Sequence, residues 1–150
     1  MDIVDGRAVS QLLQRVALNP TRYREVVICT PFLDEEMATA IRELALNAPR
    51  GHCGFTFVTR REAARRLLNG LPAPLQRWSR FIRVRHRLHA KVYLAMARLH
   101  PESEAIVTSA NLTLDGLGLN EELGVRFTGR TPAERLALLS VKHAIQNWLH

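Results

Sequence analysis

With 150 residues and a mass of 17.0 kDa, the chain has the size of one domain with one core, expected to span residues 1–150. Hydrophobic residues make up 47% and charged ones 23%, which excludes a disordered tail, and no uncharged apolar run approaches the ~20 residues of a membrane span. The 21 Lys and Arg exceed the 14 Asp and Glu for a net charge of +7, so polyanions are the favoured partners.

Asp5 followed by apolar Ala8, Val9, Leu12, Leu13 and Val16 predicts an amphipathic helix with an acidic cap, ended by Asn19-Pro20. Residues 1–20 are thus expected to supply an N-terminal helix packed on the rest. Glu25 to Leu33 predicts a central strand buried on both faces, with Pro31 at its exit. Asp34-Glu35-Glu36 opens a second helix on Met37, Ile41, Leu44, Ala45 and Ala48, and Pro49-Arg50-Gly51 closes it. Gly54 to Thr59 reads as a strand, and Thr59 and Glu62 have the spacing of a capping box for a short helix reaching Leu68. Asn69-Gly70 and Pro72-Ala73-Pro74 mark a turn-rich loop. Phe81 to Ala97 is β-like but too long for one strand, so a break is expected near His86–Leu88. Ala105 to Thr108 is a further strand, and Ser109 to Asn120 a turn with a short helical segment holding Gly116 and Gly118. Glu122 to Thr128 alternates as the last strand. Thr131-Pro132-Ala133-Glu134 combines a capping box with proline at the first helical position and launches a helix to about Trp148. Strands first alternate with helices and then cluster, which predicts an α/β domain with a mixed β-sheet layered between helices.

The charge is polarised. Between Arg60 and Lys91 stand ten basic residues and one acid, Glu62, a net +9 that leaves −2 for the rest of the chain. Arg60, Arg61, Arg65, Arg66, Arg83, Arg85 and Arg87 are therefore the expected nucleic-acid-binding residues. A solvated helix and edge strand is the plainer alternative for this window. Only two of the basic residues are lysines, Lys91 and Lys142; Lys142 falls on the terminal helix with no evident role. Cys29, inside an apolar strand, reads as a buried small hydrophobe. Trp78 and Tyr93 are candidates for base stacking as well as for core or rim positions.

His89 and Lys91 fall two apart in an expected strand, so imidazole and ammonium point the same way at the end of the basic window. Ser109 and Asn111 follow the next strand, and Asn120 and Glu122 precede the last one. Imidazole, ammonium, hydroxyl, amide and carboxylate at strand ends are the groups that phosphodiester cleavage requires. His86 and His89, three apart in a strand, would face opposite ways, so no metal pair is expected.

These residues resemble the phospholipase D superfamily, whose signature is HxK(x)4D, then G/S-S-x-N and a later N-x-E. Here they are His89-x-Lys91, Thr108-Ser109-x-Asn111 and Asn120-x-Glu122, within LHAKVYLA and IVTSANLTLDGLGLNEELGV, similar to the compact nuclease-like branch with one motif per chain. Two positions depart: the signature Asp falls at Met96, and Thr108 stands for the Gly. The resemblance implies a phospholipase D-like α/β fold and a metal-independent nuclease needing no cofactor. His89 would be the nucleophile giving a phosphohistidine, Lys91 and Asn111 would hold the non-bridging oxygens, Ser109 would order that site, and Glu122 would hydrogen-bond the imidazole. The mechanism uses two histidines and the chain offers one motif, so a homodimer contributing one His89 from each subunit is implied. Nucleic acid, DNA ahead of RNA, is the expected substrate, in defence or DNA processing, with a helicase or similar processing partner left open. Two alternatives remain: a non-catalytic nucleic-acid binder with a degenerate site, and a phospholipid hydrolase, which the arginine window disfavours. The start MDIVDGRAVS lacks the apolar stretch of a secretory signal, and Cys29 and Cys53 form no CxxC pair, so a cytoplasmic location is expected.

Overall fold

Seven strands pair into one sheet in the order β1-β7-β6-β5-β2-β3-β4. They are β1 (Asp2–Val4), β2 (Tyr23–Cys29), β3 (Gly54–Thr59), β4 (Ile82–Val84), β5 (Val92–Ala97), β6 (Glu104–Thr108) and β7 (Gly124–Thr128). The computed structural model describes residues 1–76 and 79–150. The pairings β2·β3 and β3·β4 are parallel; β2·β5, β5·β6, β6·β7 and β1·β7 are antiparallel. The sheet is therefore mixed, as its element order predicts.

Helices cover both faces. Helices α1 (Arg7–Leu18), α2 (Glu35–Asn47) and α3 (Arg61–Asn69) cover one, and α5 (Pro132–Leu149) the other. All six residues of β5 are buried, because the strand lies between the layers. Tyr93, Ala95 and Ala97 join Val9, Leu12, Ile41 and Leu67 in one core; Val92, Leu94 and Met96 join Leu138 and Ile145 in the other. The continuously apolar sequence of β5 is the consequence of this sandwiching. Met96, at the signature's Asp position, pairs with Glu25 of β2 and is 2% exposed beneath α5. It lies at the far end of β5 from Lys91, so the departure belongs to the core.

Several caps follow the sequence. Asp34 accepts from the Met37 amide at 2.8 Å, and Thr131 and Glu134 form the reciprocal capping box of α5. Other features differ. Arg60, not Thr59, occupies the N-cap position of α3, with no side-chain cap, and the Thr59 hydroxyl donates inward to the Thr30 carbonyl at 2.7 Å. Gly6 is the cap residue of α1, while Asp5 still accepts from the Arg7 amide at 3.0 Å. The 72–76 loop contains a short helix, α4 (Ala73–Gln76). Strand β1 escapes sequence reading, since three residues carry too little pattern and gain their hydrogen bonds only from β7. Lys142 pairs with Glu25, so it has a structural role after all. Among the described residues no helix is long and apolar enough to cross a membrane.

Candidate active site

One end of the sheet gathers the starts of β5 and β7 and the ends of β2, β3 and β6, because the register pairs Cys29 with Val92, Val92 with Val107 and Thr108 with Gly124. His89 and Lys91 reach this end from a segment leading into β5, not from the strand itself. The sequence expectation put them in the strand; the chain first has to turn out of edge strand β4, and the ladder begins only where β5 meets β2 and β6. Lys91 is already tied to it, its carbonyl accepting from the Thr108 amide at 3.1 Å. Its ammonium donates to the His89 carbonyl at 3.2 Å.

Ser109 sits opposite Leu123, its amide donating to the Leu123 carbonyl at 3.0 Å and its hydroxyl accepting from the Leu123 amide at 3.2 Å. The Ser109 hydroxyl also donates to the Glu122 carboxylate. Ser109 and Glu122, thirteen positions apart in sequence, are thus brought together by the β6·β7 pairing. The hydrogen bond expected between Glu122 and His89 is not formed among the described residues. Asn111 is half-buried, and its Oδ1, shut off from solvent, has no hydrogen-bond partner among the described residues.

That turn is held from below. Thr30, fully buried at the exit of β2, accepts from the Leu112 amide at 3.2 Å and donates to the Phe32 carbonyl at 3.0 Å. The Tyr93 hydroxyl donates to the Ala110 carbonyl at 3.1 Å, and burial raises the pKa of that hydroxyl. Tyr93 is 0% exposed, so it supports the turn from within the core and cannot stack on a base. Trp78, the other stacking candidate, and Arg77 of the basic window lie outside the described residues. Cys29 is buried as expected, and burial pushes its thiol up to about 12, which keeps it protonated and inert.

The arginines divide. Arg60 is half-buried, donates from Nε to the Leu88 carbonyl at 2.9 Å, and lies over the Phe32 ring at 5.3 Å. Its Nη2 is 3.2 Å from both ring nitrogens of His89, so the guanidinium rests against the imidazole face. Arg60, Arg61 and Arg66 line a cavity of about 490 Å³ with Phe32, His86 and Thr113. Arg66 is engaged there by the Leu33 carbonyl and by Glu35 at 3.7 Å. Arg85 and Arg87 line a second cavity with His89. Arg65 is exposed on α3 outside both cavities, and Arg83, on edge strand β4, faces the side of Glu25 and Lys142. Sequence reading missed Thr30 and Phe32, whose only signal is a Thr-Pro-Phe run at a strand exit. Among the described residues, no group of three or more His, Cys, Asp and Glu is placed to hold a metal ion.

No protein-family model matches the sequence, and no curated protein matches it. Solved structures do. NucT from Helicobacter pylori superposes with a TM-score of 0.55 at 15% identity, over 99% of this chain and 94% of that one. Nuc from Salmonella typhimurium, described as a phospholipase D family member, gives 0.54 at 14% identity, over 91% and 88%. Polyphosphate kinase from Porphyromonas gingivalis gives 0.57 at 18% identity, over 94% of this chain and 22% of that larger one. At these identities the likeness is one of architecture: a seven-stranded mixed sheet between helical layers, matched over nearly the full length of both compact neighbours. The chain has the phospholipase D fold.

Proposed function

We propose that the chain is a metal-independent phosphodiesterase that cleaves nucleic acid through a phosphohistidine intermediate, acting as a homodimer. The observation that carries this reading is the convergence of His89, Lys91, Ser109, Asn111 and Glu122 at one sheet end, from three segments and beside arginine-lined cavities. Two compact structures of this fold, NucT and the phospholipase D family member Nuc, add support at the level of architecture.

A His89 ring nitrogen attacks phosphorus, forming the P–N bond as the P–O bond to the leaving strand breaks. His89 of the second copy gives its proton to the leaving oxygen. Water then attacks phosphorus, passes a proton to that second imidazole and breaks the P–N bond, which restores both rings. Lys91 and Asn111 hold the non-bridging oxygens, so the Lys91 ammonium leaves the His89 carbonyl for the phosphate and the Asn111 side-chain amide donates to it from Nδ2. Ser109 and Glu122 order the same wall, and Glu122 turns from Ser109 to the imidazole when the site fills.

Nucleic acid is favoured over phospholipid by the +9 window that runs into the site. The deciding experiment is a cleavage panel on single- and double-stranded DNA and RNA in EDTA, comparing the wild type with His89→Ala. Cleavage that persists in EDTA and falls by about a thousandfold or more in the variant is expected. Salt-sensitive binding without turnover would instead assign a non-catalytic binder.

A further inference from the structure

Beside His89 an open cavity of about 610 Å³ carries Arg85, Arg87 and Ala90 on the loop side and Trp148 on the other. Trp148 is 39% exposed in the last turn of α5, whereas Ile145, one turn earlier, is 2% exposed in the core. The indole therefore sits at the lip of the apolar stripe, beside Leu149, which still packs on the core. It is not a loose end. Arg85 donates from Nε to the Trp148 carbonyl and from Nη1 to the Val84 carbonyl at 3.1 Å, fastening the last turn of α5 to the end of β4. A terminal carbonyl of the helix, which has no partner within the helix, is thereby satisfied. The tie places a half-exposed aromatic face at the loop that ends in His89.

An aromatic face held beside a nucleophile, with a cationic loop as its other wall, matches a nucleotide in both its parts. The base offers a flat apolar surface and its phosphate a charge for Arg87, which is exposed and has no carboxylate partner among the described residues. A base within a duplex is covered on both faces by its neighbours and cannot stack on protein without leaving the helix. We infer that Trp148 is the stacking platform for an unpaired nucleobase flanking the scissile phosphate, so that single strands are the preferred substrate. This inference rests on the phosphodiesterase reading above and names its substrate class.

The test uses intrinsic fluorescence and kinetics. Cleavage-deficient His89→Ala protein is titrated with a short oligothymidylate and with an abasic strand of the same length and charge. Oligothymidylate should quench indole emission more strongly than the abasic strand, and the excess should vanish when Trp148→Phe is added. In the cleaving enzyme, Trp148→Ala should raise KM for single strands about tenfold with kcat within about twofold, and Trp148→Phe should recover most of the loss. Equal quenching by both strands, or an unchanged KM in Trp148→Ala, overturns the base site. Should Trp148→Ala fail to fold, the paired titrations of His89→Ala protein with and without Trp148→Phe still decide it. Absence of cleavage by the wild type on every nucleic acid would overturn the reaction instead, with the quenching still deciding the base site.

Discussion

Arg60 stands on Phe32 and against His89 with no carboxylate partner among the described residues, while nearby Arg42 and Arg66 share Glu35. A half-buried cation with no counter-charge, fixed by a carbonyl and a ring, leaves its remaining N–H groups for an anion. A phosphate at His89 is in reach of them. Arg60→Ala should therefore lower kcat/KM about ten- to a hundredfold with little change in thermal midpoint, the effect of a lost hydrogen bond to charge. Arg60→Lys should recover little, because an ammonium cannot bind the Leu88 carbonyl, cover the ring and present a second donor together. Steady-state kinetics beside a melting curve checks both.

Gly116, in the turn between β6 and β7, shows how a residue positions a site without itself touching substrate. Gly116 packs so closely on this turn that a Cβ there would stand 2.6 Å from the Asn111 carbonyl oxygen and 3.0 Å from its amide nitrogen. Gly118, two residues on, meets nothing within 4 Å. Gly116→Ala should thus displace Asn111, destabilise the protein by about 1–3 kcal/mol and lower kcat, whereas Gly118→Ala should leave both near wild type. Denaturant midpoints and single-turnover rates separate the two. The sequence marks both glycines alike. Their difference lies in the backbone that each one faces.

At the scale of the whole molecule, the site end of the sheet exposes several large apolar side chains. Phe32 is 49% exposed, Leu114 47%, Leu119 79% and Leu123 67%, and Val107 at the end of β6 is 39%. Such a cluster beside His89, where the proposed mechanism uses a second histidine, fits the face of a second copy joined about a twofold axis. The wild type should show about twice the 17.0 kDa chain mass by light scattering. Leu123→Glu should halve that mass and remove cleavage while leaving the melting temperature nearly unchanged, since Leu123 is largely exposed in the single chain. A wild-type monomer with full activity would overturn the dimer.

The layered mixed α/β order, the main strands and helices and the break before β5 were all legible in the chain, because buried strands and amphipathic helices write their period into it. His89, Lys91, Ser109, Asn111 and Glu122 could be proposed from the chain as well, since a motif shows in residue type and spacing. The arginine window could not be ranked that way: Arg60, Arg66, Arg83 and Arg85 are alike as letters, and only folding placed Arg60 on His89, engaged Arg66 at Leu33 and Glu35, turned Arg83 away and tied Arg85 to Trp148. Tyr93, a stacking candidate in the sequence, is sealed between layers, while Trp148, which the sequence did not single out, is left half-exposed in the last turn of α5. Local pattern fixes which residues form an element. Which side chains meet across elements depends on sheet register and helix docking, and these are set only when distant parts of the chain pack together.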